Sequence, residues 1–114
     1  MSELVHKLAQ GDHKVIFRPI RDNPLQELRD AIGRNYVHVK FTETRGGTEL
    51  GFPLDDKNFP NADLEKGEGT VRLSGRLKLD GVPIRVVADI DLETMAGLGH
   101  LEILEEEPKA AAAN

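Results

Sequence analysis

Apolar and polar residues alternate most regularly in residues 71–90, on both sides of the dipeptide Asp80-Gly81. This dipeptide favours a two-residue type I′ turn, because both central residues of that turn need a positive φ. With these residues as the loop, one face of the predicted hairpin is wholly apolar or small: Leu79 pairs with Val82, Leu77 with Ile84, Gly75 with Val86, Leu73 with Ala88 and Val71 with Ile90. A shift by one residue would place charged side chains in the core, so the pattern strongly specifies this register.

The opposite face of the predicted hairpin is mostly charged. Its cross-strand pairs are Lys78 with Pro83, Arg76 with Arg85, Ser74 with Val87 and Arg72 with Asp89. The Arg76–Arg85 pair is unfavourable, since like charges directly across a sheet repel. Either the long side chains reach acids on neighbouring strands or in the C-terminal segment, or they form a basic strip that receives an acidic ligand or partner.

Two segments carry apolar residues at helical spacing. Residues 2–10 predict one short helix. Residues 22–33 predict a longer helix, because Asn23 or the residue before it can cap the first turn and Pro24 suits the first helical position. The stripe that this second helix is expected to bury consists of Leu25, Leu28, Ala31 and Ile32.

Several other segments have the composition or the period of strands. They are residues 12–20, residues 36–41 and, after a Gly-Gly turn, residues 48–54. In residues 36–41 the apolar side chains alternate strictly with polar ones, which is typical of a strand with one buried face. The last two segments therefore predict a second hairpin.

Two stretches interrupt the alternation. Residues 55–69 mix acids, lysines, proline and glycines, and they predict a long loop in which Phe59 and Leu64 dock on the body of the protein. Residues 95–99 contain two glycines and predict a turn, which is followed by a last strand around residues 101–103.

The order of these elements predicts the fold class. Strands joined by tight turns are antiparallel, because a parallel crossover needs a dozen or more residues. We expect an α+β fold: a curved antiparallel sheet of five to six strands, in hairpins and a meander, packed on one or two helices. Partial closure into a barrel is the alternative. Residues 1–104 form a single domain in this interpretation, and residues 105–114, acidic and then alanine-rich, form a disordered tail.

Composition narrows the class of protein. The 114 residues fit one domain, and the lack of cysteine excludes disulfides, thiolate zinc sites and a cysteine nucleophile. The formal net charge of −5 disfavours general binding to nucleic acid, which relies on Lys and Arg to neutralise phosphates. No apolar run approaches the roughly 18 residues that span a bilayer, and the first residues lack the pattern of a signal peptide. We therefore expect a cytoplasmic protein that does not contact membranes.

Residues suited to catalysis are sparse. The serines are Ser2 and Ser74, and neither lies at a strand-to-helix elbow. The four histidines lack the spacing of a helical metal pair, and the acids of residues 55–65 lack the order of a calcium loop, so we expect no metal and no cofactor. His38, on the exposed side of a predicted strand, is the best acid–base candidate, with Asp89 as its acidic partner.

The sequence favours a small non-enzymatic interaction or regulatory module, an adaptor. It would contact another protein or an acidic ligand through the exposed face of the sheet. The contact residues of this basic strip are Arg72, Arg76, Lys78, Arg85 and Val87. An exposed edge strand would also allow a second copy of the chain to pair as a homodimer.

Two other classes of function stay open. The first is a small-ligand carrier with a pocket between helix and sheet, whose aromatic wall would be formed by Phe17, Tyr36, Phe41 and Phe52. The second is an enzyme that works by acid–base chemistry through His38.

Overall fold

The computed structural model describes residues 3–18 and 22–104. These residues contain two helices and seven strands. The helices are α1 (Glu3–Leu8) and α2 (Pro24–Gly33). The strands are β1 (His13–Arg18), β2 (Val37–Phe41), β3 (Thr48–Phe52), β4 (Ala62–Asp63), β5 (Glu68–Leu79), β6 (Val82–Asp91) and β7 (Ala96–Ile103).

The strands form a sheet in the order β3-β2-β1-β7-β6-β5-β4, and every neighbouring pair is antiparallel. The predicted α+β class with an antiparallel sheet is therefore confirmed, and the sheet does not close into a barrel. Its middle is built by β1 and β7, which come from opposite ends of the chain and place Val15 opposite Gly97.

The hairpin of β5 and β6 has the predicted register along its whole length, beginning with Leu79 opposite Val82. Asp80 and Gly81 take φ angles of 52° and 79°, which is the left-handed pair that a type I′ turn requires. The apolar face of the hairpin points into the core, and the basic strip lies on the opposite face.

The helix α2 begins and packs as its sequence predicts. Asn23 is the N-cap, and its side-chain Oδ1 accepts a hydrogen bond of 3.1 Å from the backbone N–H of Gln26. Leu28 and Ala31 from this helix are buried in the core. The helices α1 and α2 have 6 and 10 residues, and no helix in the described part of the chain is long and apolar enough to cross a membrane.

One hydrophobic core joins both helices to the inward face of the sheet. Its largest fully buried side chains include Phe17, Phe41, Phe52, Leu8, Leu28, Leu73, Ile84, Ile90 and Leu101. Burial of such a side chain contributes about 1.5–3 kcal/mol to the free energy of unfolding. Most inward residues of the predicted hairpins belong to this core, and Leu77 and Leu79 near the turn pack against it while partly buried, which explains why the register is so strongly specified.

The two ends of the curved sheet approach each other at Gly75. A Cβ atom on this residue would overlap the carbonyl oxygen of Pro53 and would crowd the ring of Phe52. The backbone N–H of Asp55 then donates a 2.9 Å hydrogen bond to the carbonyl of Ser74. The chain leaving β3 therefore runs against β5, and Asp55 reaches the outward face of the hairpin.

Residues 55–69 are not the featureless loop that we predicted. They contain β4, in which Ala62 pairs with Gly69 of β5. Phe59 and Leu64 pack against the core, as expected, and Ala62 joins them. The strand β4 has only two residues, which is too short for any alternation of polar and apolar residues to show in the sequence. It brings the sheet to seven strands instead of five to six.

The turn predicted over residues 95–99 is also displaced. The strand β7 begins at Ala96, so Gly97 and Gly99 lie inside it. A Cβ atom on Gly97 would overlap the carbonyl oxygen of Asp89 in β6, so this glycine serves a close approach between strands. The residue with a positive φ before this strand is Met95, at 59°.

Several predicted boundaries lie outside the described residues. The first predicted strand was drawn to residue 20, and β1 ends at Arg18, before the undescribed residues 19–21. The predicted tail, residues 105–114, also lies outside the described part of the chain.

Candidate functional site

The basic strip lies on the outward face of the β5–β6 hairpin, where its residues were predicted. Arg72, Arg76 and Lys78 are exposed on β5, and Arg85 is half-buried on β6. Arg76 stands directly opposite Arg85. The structure also decides which of these charges are balanced by acids.

Arg72 is paired with Asp89, its cross-strand neighbour. Its Nε donates to Oδ1 of Asp89 at 2.8 Å, and its Nη2 donates to Oδ2 at 3.0 Å. This two-pronged contact raises the pKa of Arg72 above its ordinary value, through the hydrogen bonds and then the charge of Asp89. Both side chains are largely exposed, so the pair adds only about 0.2–1 kcal/mol to stability.

Arg85 is balanced by two acids from different parts of the chain. Its Nε donates to Oδ2 of Asp55 at 3.0 Å. Its Nη1 lies 3.7 Å from Oε1 of Glu102, the neighbour of Arg85 on β7. These acids balance the positive charge of Arg85 and thereby weaken its repulsion of Arg76.

Asp55 contacts both Arg85 and the buried hydroxyl of Ser74. The Ser74 Oγ donates to Oδ1 of Asp55 at 2.6 Å, and Ser74 is only 2% exposed. The pKa of Asp55 lies below its ordinary value, chiefly because of this hydrogen bond and also because of the hydrogen bond and charge of Arg85. Asp55 is thereby held as a carboxylate in the middle of the hairpin's outward face.

Arg76 and Lys78 remain without such partners. Within residues 3–18 and 22–104, neither side chain forms an ion pair or a hydrogen bond. They lie two positions apart on the same face of β5, next to the hairpin turn. The charge of Arg76 contributes to lowering the pKa of Asp55, but neither Arg76 nor Lys78 is held in an ion pair within these residues, so the least balanced cations of the strip lie at this end.

Val87 is located on the predicted face but is not available to a partner. It is 5% exposed, whereas we had expected an accessible apolar contact. Its cross-strand neighbours are Ser74 on β5 and His100 on β7. Ser74 is itself buried beside Asp55, so in this polar layer of Ser74, Asp55 and Arg85 neither Val87 nor Ser74 offers contact area to a partner.

Two cavities flank this polar layer and share Asp56 and Arg85. The first has a volume of about 610 Å³ and is lined by Asp56, Asn58, Phe59, Pro60, Asn61, Thr70, Arg72, Ser74, Arg85 and Asp89. The second, of about 510 Å³, is lined by Asp55, Asp56, Arg76, Arg85 and Leu104. Together they form a groove between residues 55–61 and the outward face of β5 and β6, and we call this the hairpin groove.

The structure does not bring together the predicted acid–base pair. His38 lies on β2 and Asp89 on β6, with β1 and β7 between them. Three strand spacings separate these positions by about 14 Å across the sheet, and the registers offset them by four further residues along β1, from Arg18 to Lys14. Asp89 is also engaged by Arg72, and the ring of His38 stacks edge to face with Tyr36 at a centroid distance of 5.2 Å.

The aromatic wall proposed for a small-ligand pocket is dispersed. Phe17, Phe41 and Phe52 are fully buried and belong to the packed core, while Tyr36 is 43% exposed. These four rings therefore do not line a common cavity wall. Among the described residues, no three potential metal ligands of the His, Asp and Glu types form a cluster.

Sequence reasoning missed the residues that organise the groove. Asp55 was assigned to a solvated loop and Ser74 was treated only as an unsuitable nucleophile. The usable signal was Gly75, because a glycine inside a strand often marks a point where another backbone segment comes close. That the segment was residues 53–55 could not be inferred from local spacing.

No protein-family model matches the sequence, and no curated protein matches it significantly.

Proposed function

We propose that this protein is a non-enzymatic interaction module that captures an acidic segment of a partner protein along the hairpin groove. The observation that carries the proposal is the pair Arg76 and Lys78, two exposed cations at one end of a groove whose other described arginines are balanced by acids. A carboxylate-bearing segment would supply the missing counter-charges. The groove gives such a segment a surface along which to lie.

The cations that already have acidic partners and those that do not are expected to contribute differently to ligand binding. Arg72 and Arg85 would have to leave Asp89 and Asp55 to serve a ligand, which offsets most of what they would gain. Among the described residues, Arg76 and Lys78 have no ion pair or hydrogen bond to break. Acidic ligands are therefore expected to engage the turn end of the strip first, with the affinity decreasing as salt screens the charges.

The test is the binding of a fluorescein-labelled hexaglutamate peptide, followed by anisotropy at low salt. The variant Arg76→Ala/Lys78→Ala should bind it about three- to tenfold more weakly, since each exposed pair contributes about 0.2–1 kcal/mol. The matched control is Arg45→Ala/Lys66→Ala, which removes the same charge from two exposed cations outside the strip. Equal loss of affinity in both variants would overturn the proposal.

Arg85 is a poor choice for this test. Replacing Arg76 and Arg85 together would remove the like-charged pair. Because Arg85 is paired with both Asp55 and Glu102, its removal would leave Asp55 with fewer partners and would lower stability. A binding defect in that double variant could not be separated from a local change in structure.

A further inference from the structure

The two ends of the hairpin groove differ in chemistry. At one end the backbone N–H of Thr70 donates a 3.1 Å hydrogen bond to the carbonyl of Asn61, and the apolar part of the otherwise polar cavity lining is Phe59 and Pro60. Phe59 packs partly against the core, and Pro60 is exposed. At the other end, near the turn, the cavity is bordered by Arg76 and Leu104.

Charge favours a neutral group at the Thr70 end. The charged residues lining that cavity are two acids and two arginines, and Arg72 and Arg85 already hold acids there. An acidic side chain would find no unpaired cation among these residues. An apolar or aromatic side chain would instead cover Phe59 and Pro60 and release the water that hydrates them.

From these observations we infer that the preferred partner segment is extended and carries one apolar, preferably aromatic, residue at a set distance from its acidic residues. This inference rests on the proposed function and specifies its partner. Thr70 and Arg76 are six positions apart on β5, which corresponds to about 20 Å at the rise of a strand. An extended ligand spans that distance with about five residues between its apolar residue and its first acid.

A spacer series tests this inference without changing the protein. Each labelled peptide carries one phenylalanine, then one, three, five or seven Gly/Ser residues, and then two glutamates. Affinity should rise by about fivefold between one and five intervening residues, because only the longer spacer lets both ends bind, and should then decline slowly. The control peptide has serine in place of phenylalanine at the five-residue spacing.

A protein variant locates the apolar contact. Pro60 is exposed, and Pro60→Ser should lower the affinity for the five-residue peptide by a larger factor than the affinity for hexaglutamate. Affinity that does not depend on spacer length, or that is the same for the serine control, would overturn the inference and leave the proposed function standing. Failure of the proposed function has a different outcome, namely hexaglutamate binding that does not respond to Arg76→Ala/Lys78→Ala.

Discussion

At the scale of single residues, the strip is defined by which charges find partners. Four cations face outward on the hairpin, but Arg72 and Arg85 are held by Asp89 and by Asp55 with Glu102. Arg76 stands opposite Arg85, as the register predicts. The charge of Arg85 is balanced by Glu102 on the neighbouring strand β7 and by Asp55 in the chain after β3. The cost of placing Arg76 beside Arg85 is therefore small.

The Asp55 carboxylate should make stability depend on pH. Its pKa is lowered in the folded protein from an ordinary value near 3.8, so its contribution is present above that value and is lost as the pH falls through the folded-state pKa. We expect Asp55→Asn to lower the free energy of unfolding by about 1 kcal/mol at neutral pH, and by progressively less below about pH 4. Urea unfolding at a series of pH values measures both.

The control for Asp55 is its neighbour Asp56. Asp56 is exposed, and its carboxylate accepts a local hydrogen bond of 2.9 Å from the backbone N–H of Asn58. At neutral pH, Asp56→Asn should therefore lower the free energy of unfolding by less than Asp55→Asn does. The assignment of Asp55 as the organising acid fails if the two variants have the same pH profile.

At the scale of elements, residues close together in the sequence determine the register and the turn of the β5–β6 hairpin. The strands β5 and β6 are long and strictly patterned, and a two-residue turn sets their register. The same holds for α2, whose first residue, Pro24, was predicted, and whose cap was placed at Asn23 or the residue before it. Elements of this kind depend on neighbours in the chain, so their signals are complete within a short window.

Gly81→Ala should destabilise the hairpin through the backbone alone. Nothing lies within 4 Å of a Cβ placed on Gly81, but its φ is +79°, which costs a residue with a side chain about 1 kcal/mol. The control is Gly33→Ala at the end of α2, where a Cβ also meets nothing within 4 Å and no positive φ is needed. Denaturant midpoints should fall for Gly81→Ala and should stay level or rise for Gly33→Ala.

At the scale of the whole molecule, curvature of the sheet creates the groove. The chain after β3 crosses against β5 at Gly75, and this crossing delivers Asp55 to the outward face. From there residues 56–61 run to β4, which pairs with the start of β5. The groove is therefore formed by segments that are distant in the sheet order and become neighbours only after folding.

Gly75→Ala should weaken this crossing. Its added methyl group would overlap the backbone of Pro53, and backbone cannot swing aside as a flexible side chain can. We expect a loss of about 2 kcal/mol or more in the free energy of unfolding, as for other overpacked core sites. The same variant should weaken hexaglutamate binding, because Asp55 and the 56–61 segment would shift. A Gly75→Ala protein as stable as Gly33→Ala would show that this crossing does not hold the sheet ends together.

The sequence by itself determined the α+β class, the hairpin register with its turn, the first residue of α2 and the side of the sheet that faces the core. Each of these follows from periodicity and turn chemistry within a few residues, and a wrong choice would bury charge. Only the tertiary structure decided the short strand β4, the burial of Val87 and Ser74, and the selection of Arg76 and Lys78 as the unpaired cations. Those features depend on where residues 53–61 settle on the curved sheet. Contacts between residues so far apart along the chain are set by packing of the whole core, which leaves no periodic trace in the sequence.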